Sequence, residues 1–217
     1  QITRDSIALF QTSDSPFIQF RTEYVDFSIK LYNLAGSSID VAYTMELDYL
    51  DGRKVYQFSI PCSALGDTYY YFYITTGDPF KPLAHFQSEW FNVKTTQTNS
   101  IKAEWLESES DGLVWGTAYN CMRFISRIDN PEFGGETFVS ENSQGNLEVL
   151  NALPTKIKTW KLEPIGEWIT DVLNLAFKHG PLQLNGIEYS SAEKLERKQL
   201  GLTTDFDCSV KLRLKNW

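Results

Sequence analysis

Cysteine and histidine are scarce in this 217-residue chain, which has three of the first and two of the second. Cys62, Cys121 and Cys208 are odd in number and far apart, unlike the even, dense framework that staples a small secreted scaffold. Three buried thiols are the reading this supports, with one disulfide and a spare thiol as the alternative. Enzymes that move protons lean on histidine. Here His179 falls in the last turn of an expected helix, where partial positive charge suits the helix dipole, and His85, near Pro82 and Phe86, reads as a loop residue. No HExxH, CxxC, GxSxG or GxxxxGK[ST] pattern occurs, which removes the common zinc, redox, hydrolase and phosphate-cradling motifs. No cofactor is expected.

Long apolar runs are missing too. None approaches the roughly 18 residues that span a bilayer, and residues 1–10 lack the basic, apolar, small-residue order of a signal peptide, so the chain as given reads as soluble. It begins without Met, so a processed product or an excised segment is expected, either of which would hide a leader or further domains. Basic residues number 20 against 28 acidic ones, a formal charge of −8. That balance repels a phosphate backbone and supplies no cationic stripe for anionic lipid. Neither nucleic acid nor membrane is an expected partner.

What the chain does have is apolar and aromatic material, 42% and 14% of residues, ample for a core in two layers of packed sheet. Turn signals recur through the first half at Gly36-Ser37-Ser38, Asp51-Gly52, Gly66-Asp67 and Gly77-Asp78-Pro79. Between them lie runs rich in β-branched and aromatic residues: Phe17 to Phe20, Tyr24 to Tyr32, Ile39 to Leu50, Lys54 to Ile60, Thr68 to Thr75 and Trp90 to Val93. Short strands at this spacing predict a sandwich. In the second run Val25, Phe27, Ile29 and Leu31 share one face and Asp26, Ser28 and Lys30 the other, the pattern of a half-buried strand. Asp51-Gly52 between two such runs predicts a hairpin.

The polar stretch Lys94 to Ser100 marks a linker or long edge loop and suggests two modules, residues 1–95 and 96–217. In the second, Ile101 to Leu106, Leu113 to Tyr119, Met122 to Ile128, Glu136 to Ser140, Leu147 to Leu150 and Lys156 to Leu162 read as strands. The period then changes to helical over about 167–179, with Pro164 before and Gly180-Pro181 after. Asn185-Gly186 between Leu182 to Leu184 and Ile187 to Tyr189 predicts a tight hairpin. Glu193 to Lys198 reads as a solvated loop or short helix. Cys208, Val210, Leu212 and Leu214 alternate with Ser209, Lys211, Arg213 and Lys215, a closing strand whose basic face guards an edge. The expected fold is mainly β, with two β-sandwich modules and one helix in the second.

Two groups of residues invite a functional reading. Glu104, Glu107, Glu109 and Asp111 could offer paired carboxylates, yet they lack the Asp/Asn-rich loop that wraps calcium, and a solvated turn accounts for them; no metal is expected. Tyr69 to Tyr73 carries more rings than one strand face can bury, because alternate residues point outward. Tyr69, Tyr71, Tyr73 and Trp90 are therefore candidate residues for an apolar interface with protein or for stacking on a sugar.

The run Tyr69 to Thr75, a turn, and Gln87-Ser88-Glu89-Trp90-Phe91-Asn92-Val93 resemble the last two strands of fibronectin type III-like modules, where a "YSEPF" or "YSEWF" phrase opens the final strand. Leu113 to Tyr119, through the Trp160 strand, helix, Asn-Gly hairpin and last strand, resembles structural proteins of tailed bacteriophages of Bacteroidota-type hosts. That element order is also similar to the tail-tube and distal-tail β-sandwich. The resemblance implies an immunoglobulin- or fibronectin III-like first module and a tail-type second one. It further implies a non-enzymatic virion component of tail or neck, assembled in the host cytoplasm as a ring with copies of itself and other virion proteins. The acidic, aromatic first module is a departure from that pattern, and leaves tube, hub, connector ring and decoration open. The alternatives are a bacterial surface or secreted carbohydrate-binding or adhesion module, and thirdly a β-sandwich glycosidase using the acidic group.

Overall fold

The computed structural model describes residues 7–24, 26–48, 54–77, 85–106, 119–179, 182–191, 193–202 and 205–215. The first half is built of β1 (Ala8–Gln11), β2 (Phe17–Thr22), β3 (Phe27–Asn33), β4 (Ser38–Asp40), β5 (Tyr43–Asp48), β6 (Lys54–Ser59), β7 (Thr68–Thr76), β8 (His85–Gln87) and β9 (Phe91–Lys94), with inward and outward side chains alternating most clearly in β1 and β3. In β3 the expected face is inside, with Phe27, Ile29 and Leu31 buried and Ser28 exposed; Val25 lies outside the described residues. One sheet runs β2-β6-β5, and the other carries β1-β9-β7-β3-β4 in that order. They pack through rings: Phe27 meets Phe20 at 5.3 Å and Tyr56 at 4.7 Å, and Phe58 meets Phe72 at 4.8 Å, all edge to face. Each such pair adds about 0.5–1.5 kcal/mol beyond the area it buries.

Two expectations change here. Ile39 to Leu50 is not one strand, because Val41 turns into the core and its N–H donates to the Ile29 carbonyl at 2.9 Å. The chain thereby leaves β4, paired with β3, for β5, paired with β6 in the other sheet. His85, expected in a loop, lies in β8 opposite Thr75.

The second half contains β10 (Ser100–Leu106), β11 (Tyr119–Ile128), β12 (Glu132–Glu141), β13 (Leu147–Gly166), α1 (Glu167–His179), β14 (Leu182–Leu184), β15 (Ile187–Ser191), β16 (Glu196–Gln199) and β17 (Asp205–Leu214). Here the sheet curls on itself. β10, β11, β13, β17, β15 and β14 form a closed antiparallel barrel, since β13 reaches β17 on one side and β11 through Ser126↔Leu162 to Ile128↔Trp160 on the other. Closure removes open edges, the weak point of any sheet. Trp160 is fully buried, its indole N–H donating to Ser126 Oγ at 2.8 Å and its ring meeting Phe124 at 5.7 Å and Phe177 at 6.4 Å. Helix α1 buries Ile169, Leu173 and Ala176 against β10, β13 and β17, at the spacing of one helical face.

The Asn-Gly hairpin forms as expected, joining β14 and β15 with φ of 49° at Asn185 and 78° at Gly186, the positive pair that a type I′ turn needs. Other segments differ from expectation. Leu147 to Leu150 and Lys156 to Leu162 are one strand running through Pro154. Proline is tolerated there because β17 begins to pair only at Ile157, leaving β12 as the neighbour at that point. Glu193 to Lys198 is neither loop nor helix throughout, since Glu196–Gln199 pairs with β17 as β16, next to the buried Leu195. The closing strand guards no edge: β17 lies between β13 and the pair β15 and β16, and Lys211 and Lys215 are partnered by Glu193 and Glu188. Of the expected strand Leu113 to Tyr119, residues 113–118 lie outside the described residues.

The two halves meet at β1 and β11. β1 runs parallel to β9 and pairs with β11 at Leu9↔Arg123. The connection from β9 to β10 is tied down, with Gln97 Nε2 donating to the Phe10 carbonyl at 3.1 Å and the Thr95 N–H donating to Asp67 Oδ1 at 2.7 Å. Beneath it Asp14, its side chain 1% exposed, accepts from Arg123 Nε at 2.7 Å and Nη2 at 3.0 Å and from the Gln11 N–H at 2.7 Å. Lys102 lies 3.8 Å from Asp14 and 2.7 Å from Glu104. Burial is the largest single influence on the Lys102 ammonium and pushes its pKa down, but the hydrogen bond to Glu104 together with the neighbouring negative charges, those of Glu104 and Asp14 among them, outweighs it, so the pKa is raised.

Candidate functional site

β7 is an interior strand with two faces. Inward, Tyr70 and Phe72 are buried; the Tyr70 hydroxyl donates to the Gly66 carbonyl at 3.1 Å and accepts from the Gly66 N–H at 2.9 Å. Outward, the candidate residues Tyr69, Tyr71 and Tyr73 are half-buried. The structure brings Tyr71 and Tyr73 into a strip of rings with two residues the sequence reading did not single out. Tyr32, opposite Tyr71 in β3, stacks on it at 5.4 Å and meets Tyr73 at 6.3 Å, and His85 stacks on Tyr73 at 5.9 Å. Trp90 closes the strip against Tyr71 at 4.7 Å. Tyr69 shares the face without joining these ring contacts. A signal for Tyr32 was present, since it continues the outward parity of Ser28 and Lys30. His85 carried none, because its strand is three residues long.

A second surface belongs to β12 and the first part of β13. These strands form a hairpin arm whose ten-residue side Glu132–Glu141 spans roughly 33 Å at the usual rise. Its tip is ordered by Asn142, whose Oδ1 accepts from the Gln144 and Asn146 N–H groups at 3.0 Å. Along the arm the register shifts between Phe138↔Asn151 and Val139↔Val149, so Leu150 is bulged out of the pairing. Residues opposite one another share a face, which puts Phe133, Val139, Val149 and Leu147 on one side of the arm. They are 67%, 52%, 64% and 73% exposed. Lys156 Nζ lies 5.6 Å from the Phe133 ring centroid on that same side. Among the described residues, β12 has β13 as its partner on one edge, and β13 has β12 alone until Ile157. Among the described residues no further strand pairs with either outer edge of the arm, and one face of it carries an apolar strip.

Compared with known proteins, the chain matches no family model and no curated protein. The reading of these surfaces rests on their own chemistry. Among the described residues no cluster of three or more His, Cys, Asp or Glu side chains is arranged to hold a metal ion. Glu104 is engaged by Lys102, while Glu107, Glu109 and Asp111 lie outside the described residues. No described helix is long and apolar enough to cross a membrane. The three thiols are free and buried. Burial, with the Asp14 carboxylate adding to it, pushes Cys62 from 9.0 up to about 12 and Cys121 up to about 11; burial pushes Cys208 to about 11. Thiolates are the nucleophilic form, so these groups are suited to packing.

Proposed function

We propose that the chain is a non-enzymatic structural component of a phage virion, of tail or neck, that assembles with copies of itself and other virion proteins into a ring or connector. The hairpin arm is the observation that carries this reading. An isolated two-stranded hairpin is marginal in water, and this one leaves four large apolar side chains more than half exposed on one face. Pairing of an arm edge with a neighbouring subunit satisfies its backbone groups and covers the strip, and closed rotational symmetry sets the copy number. On this reading the protein is located in the virion after assembly in the host cytoplasm.

The architecture adds support. Sheets β2-β6-β5 and β1-β9-β7-β3-β4, with the Tyr70 hydroxyl bonded back to Gly66 at the start of β7, favour an immunoglobulin-like reading of the first module. The succession of strand β13, helix α1, hairpin β14 and β15 and strand β17 favours a tail-type reading of the second. The test is mass measurement across concentrations together with electron microscopy and a protein inventory of phage particles. Rings and a place in the particle are expected; monomers at every concentration and absence from particles would sink the reading.

The strip Tyr32, Tyr71, Tyr73 and Trp90 favours a second reading, a bacterial surface or secreted module that stacks rings on sugar. Retention on a glycan array that is lost in Tyr71→Ala and Trp90→Ala would support it, and no retention on any polysaccharide would remove it.

A further inference from the structure

The pairing that closes the barrel between β10 and β14 is short, running from Ala103↔Leu184 to Trp105↔Leu182. Lys102, the next position along β10, directs both of its backbone groups to Asn185. Its carbonyl accepts from the Asn185 N–H at 2.9 Å, and its own N–H donates to Asn185 Oδ1 at 2.9 Å. In a regular antiparallel ladder the second acceptor is a backbone carbonyl. Here a side-chain oxygen takes that place, so Asn185 both makes the turn and adds a rung to the closing seam.

The same residue is chemically vulnerable. Asn185-Gly186 is the one Asn-Gly pair in the chain. Both residues are exposed, and a side chain added at Gly186 would meet nothing within 4 Å. The Gly186 nitrogen thus has no side chain beside it to block attack on Asn185 Cγ, and its backbone turns freely once the hairpin opens. That attack forms an N–Cγ bond, breaks the Cγ–Nδ2 bond and releases ammonia, leaving a succinimide. Water then adds to either imide carbonyl. One opening gives aspartate and the other isoaspartate, whose main chain runs on through Cγ; no oxidant or reductant enters. In the native turn the carboxamide reaches across the seam to Lys102, and swinging it onto Gly186 breaks that bond.

We propose that Asn185 is a site of spontaneous deamidation held shut by Lys102, and that isoaspartate formed there when the hairpin opens keeps β14 from returning to β10. The reason is geometric. Isoaspartate adds one carbon to the main chain of a two-residue turn whose fit rests on φ of 49° and 78°, so the Leu184↔Ile187 pairing and the Lys102 contacts cannot both keep their register. Aspartate leaves the main chain unchanged and still offers an oxygen to the Lys102 N–H. The site lies apart from the arm and does not rest on the assembly reading.

The test holds the full chain at mildly alkaline pH in native buffer and in guanidinium chloride, with peptide mass spectrometry that separates aspartyl from isoaspartyl products. In denaturant Asn185 is expected to react ahead of Asn99 and Asn142, each of which precedes a serine, and to give both products. In the native chain it is expected to react at least about tenfold more slowly, because the rate follows the open population. Leu184→Ala, which loosens β14 at a side chain 1% exposed, is expected to speed the native reaction about tenfold or more. The isoaspartyl chain, refolded and separated, is expected to exchange the amide hydrogens of residues 182–187 rapidly, whereas the refolded unmodified chain and Asn185→Asp keep them protected. Failure of the isoaspartyl chain alone to refold would also support the proposal. Should Leu184→Ala not fold, the paired rates and the exchange comparison still decide. Three results would overturn the proposal: equal rates in native buffer and denaturant, Asn185 reacting no faster than Asn99 in denaturant, or an isoaspartyl chain protected as well as Asn185→Asp.

Discussion

Two stretches of the same strand contrast sharply. From Ile157 onward β13 has β17 beside it, and Trp160, Leu162 and Ile165 are buried. Before that point β12 is its one neighbour among the described residues, and Leu147 and Val149 are 73% and 64% exposed. Both stretches carry apolar residues on a β backbone. What separates them is the number of neighbours, so burial here is decided by topology rather than by hydrophobicity of the segment. Every strand of the barrel has a partner on both sides, whereas among the described residues the arm strands have only each other.

The contrast predicts unequal responses to substitution. The largest belong to the body. Asp14→Ala strands the Arg123 guanidinium, only 12% exposed, without its bidentate partner, and is expected to cost about 3–5 kcal/mol in urea unfolding. Trp160→Ala is expected to cost a similar amount, about 3–5 kcal/mol, from its fully buried site. An Asp14→Ala protein of unchanged stability would break the picture of a rigid seam.

Alkaline pH probes the same interior. The folded values of Cys62, Cys121 and Cys208 lie above 9.0, at about 12, 11 and 11, so the folded state holds these protons more tightly than the unfolded one. Their contribution is fully present below pH 9 and is lost as pH rises through about 11 to 12. The midpoint of denaturation is expected to fall over that window, and less so in Cys62→Ala; labelling with a thiol reagent at neutral pH is expected only after unfolding. Rapid labelling of the native protein would contradict this burial.

Gly186→Ala forces a side chain onto φ of 78° in the β14 to β15 turn, and about 1 kcal/mol of lost stability is expected. The smallest effect on the monomer is predicted for the arm. Leu147→Ser combined with Val149→Ser should change unfolding free energy by no more than about 0.5 kcal/mol, while weakening self-association at least about tenfold. If the double variant unfolded like a core mutant, the arm would have to be counted as part of the body.

Much of the body was legible in the sequence because its signals are local. The parity of Phe27, Ile29 and Leu31, the helix bounded by Pro164 and Gly180-Pro181, and the Asn185-Gly186 turn each follow from neighbours along the chain. The outward positions of Tyr71 and Tyr73 followed from period-2 alternation. What could not be read was pairing between distant segments. Nothing near Leu147 or Lys156 says that they belong to one strand, since Pro154 between them argues for a break, and the proline is accommodated where β12 is the one neighbouring strand among the described residues. The basic face of β17 resembles an edge, and only the pairing of β15, β16 and β13 around it shows otherwise. The arm is likewise a product of long-range register. Leu147 to Leu150 reads as one more strand, and its exposure shows only once its neighbours are counted.

Hydrogen–deuterium exchange across residues 132–156, compared between dilute and concentrated protein, tests the central claim most directly. Fast exchange of the arm amides in dilute solution and strong protection on concentration, with the barrel protected throughout, is the predicted result. Arm amides protected to the same degree at both concentrations, or exposed at both, would contradict it.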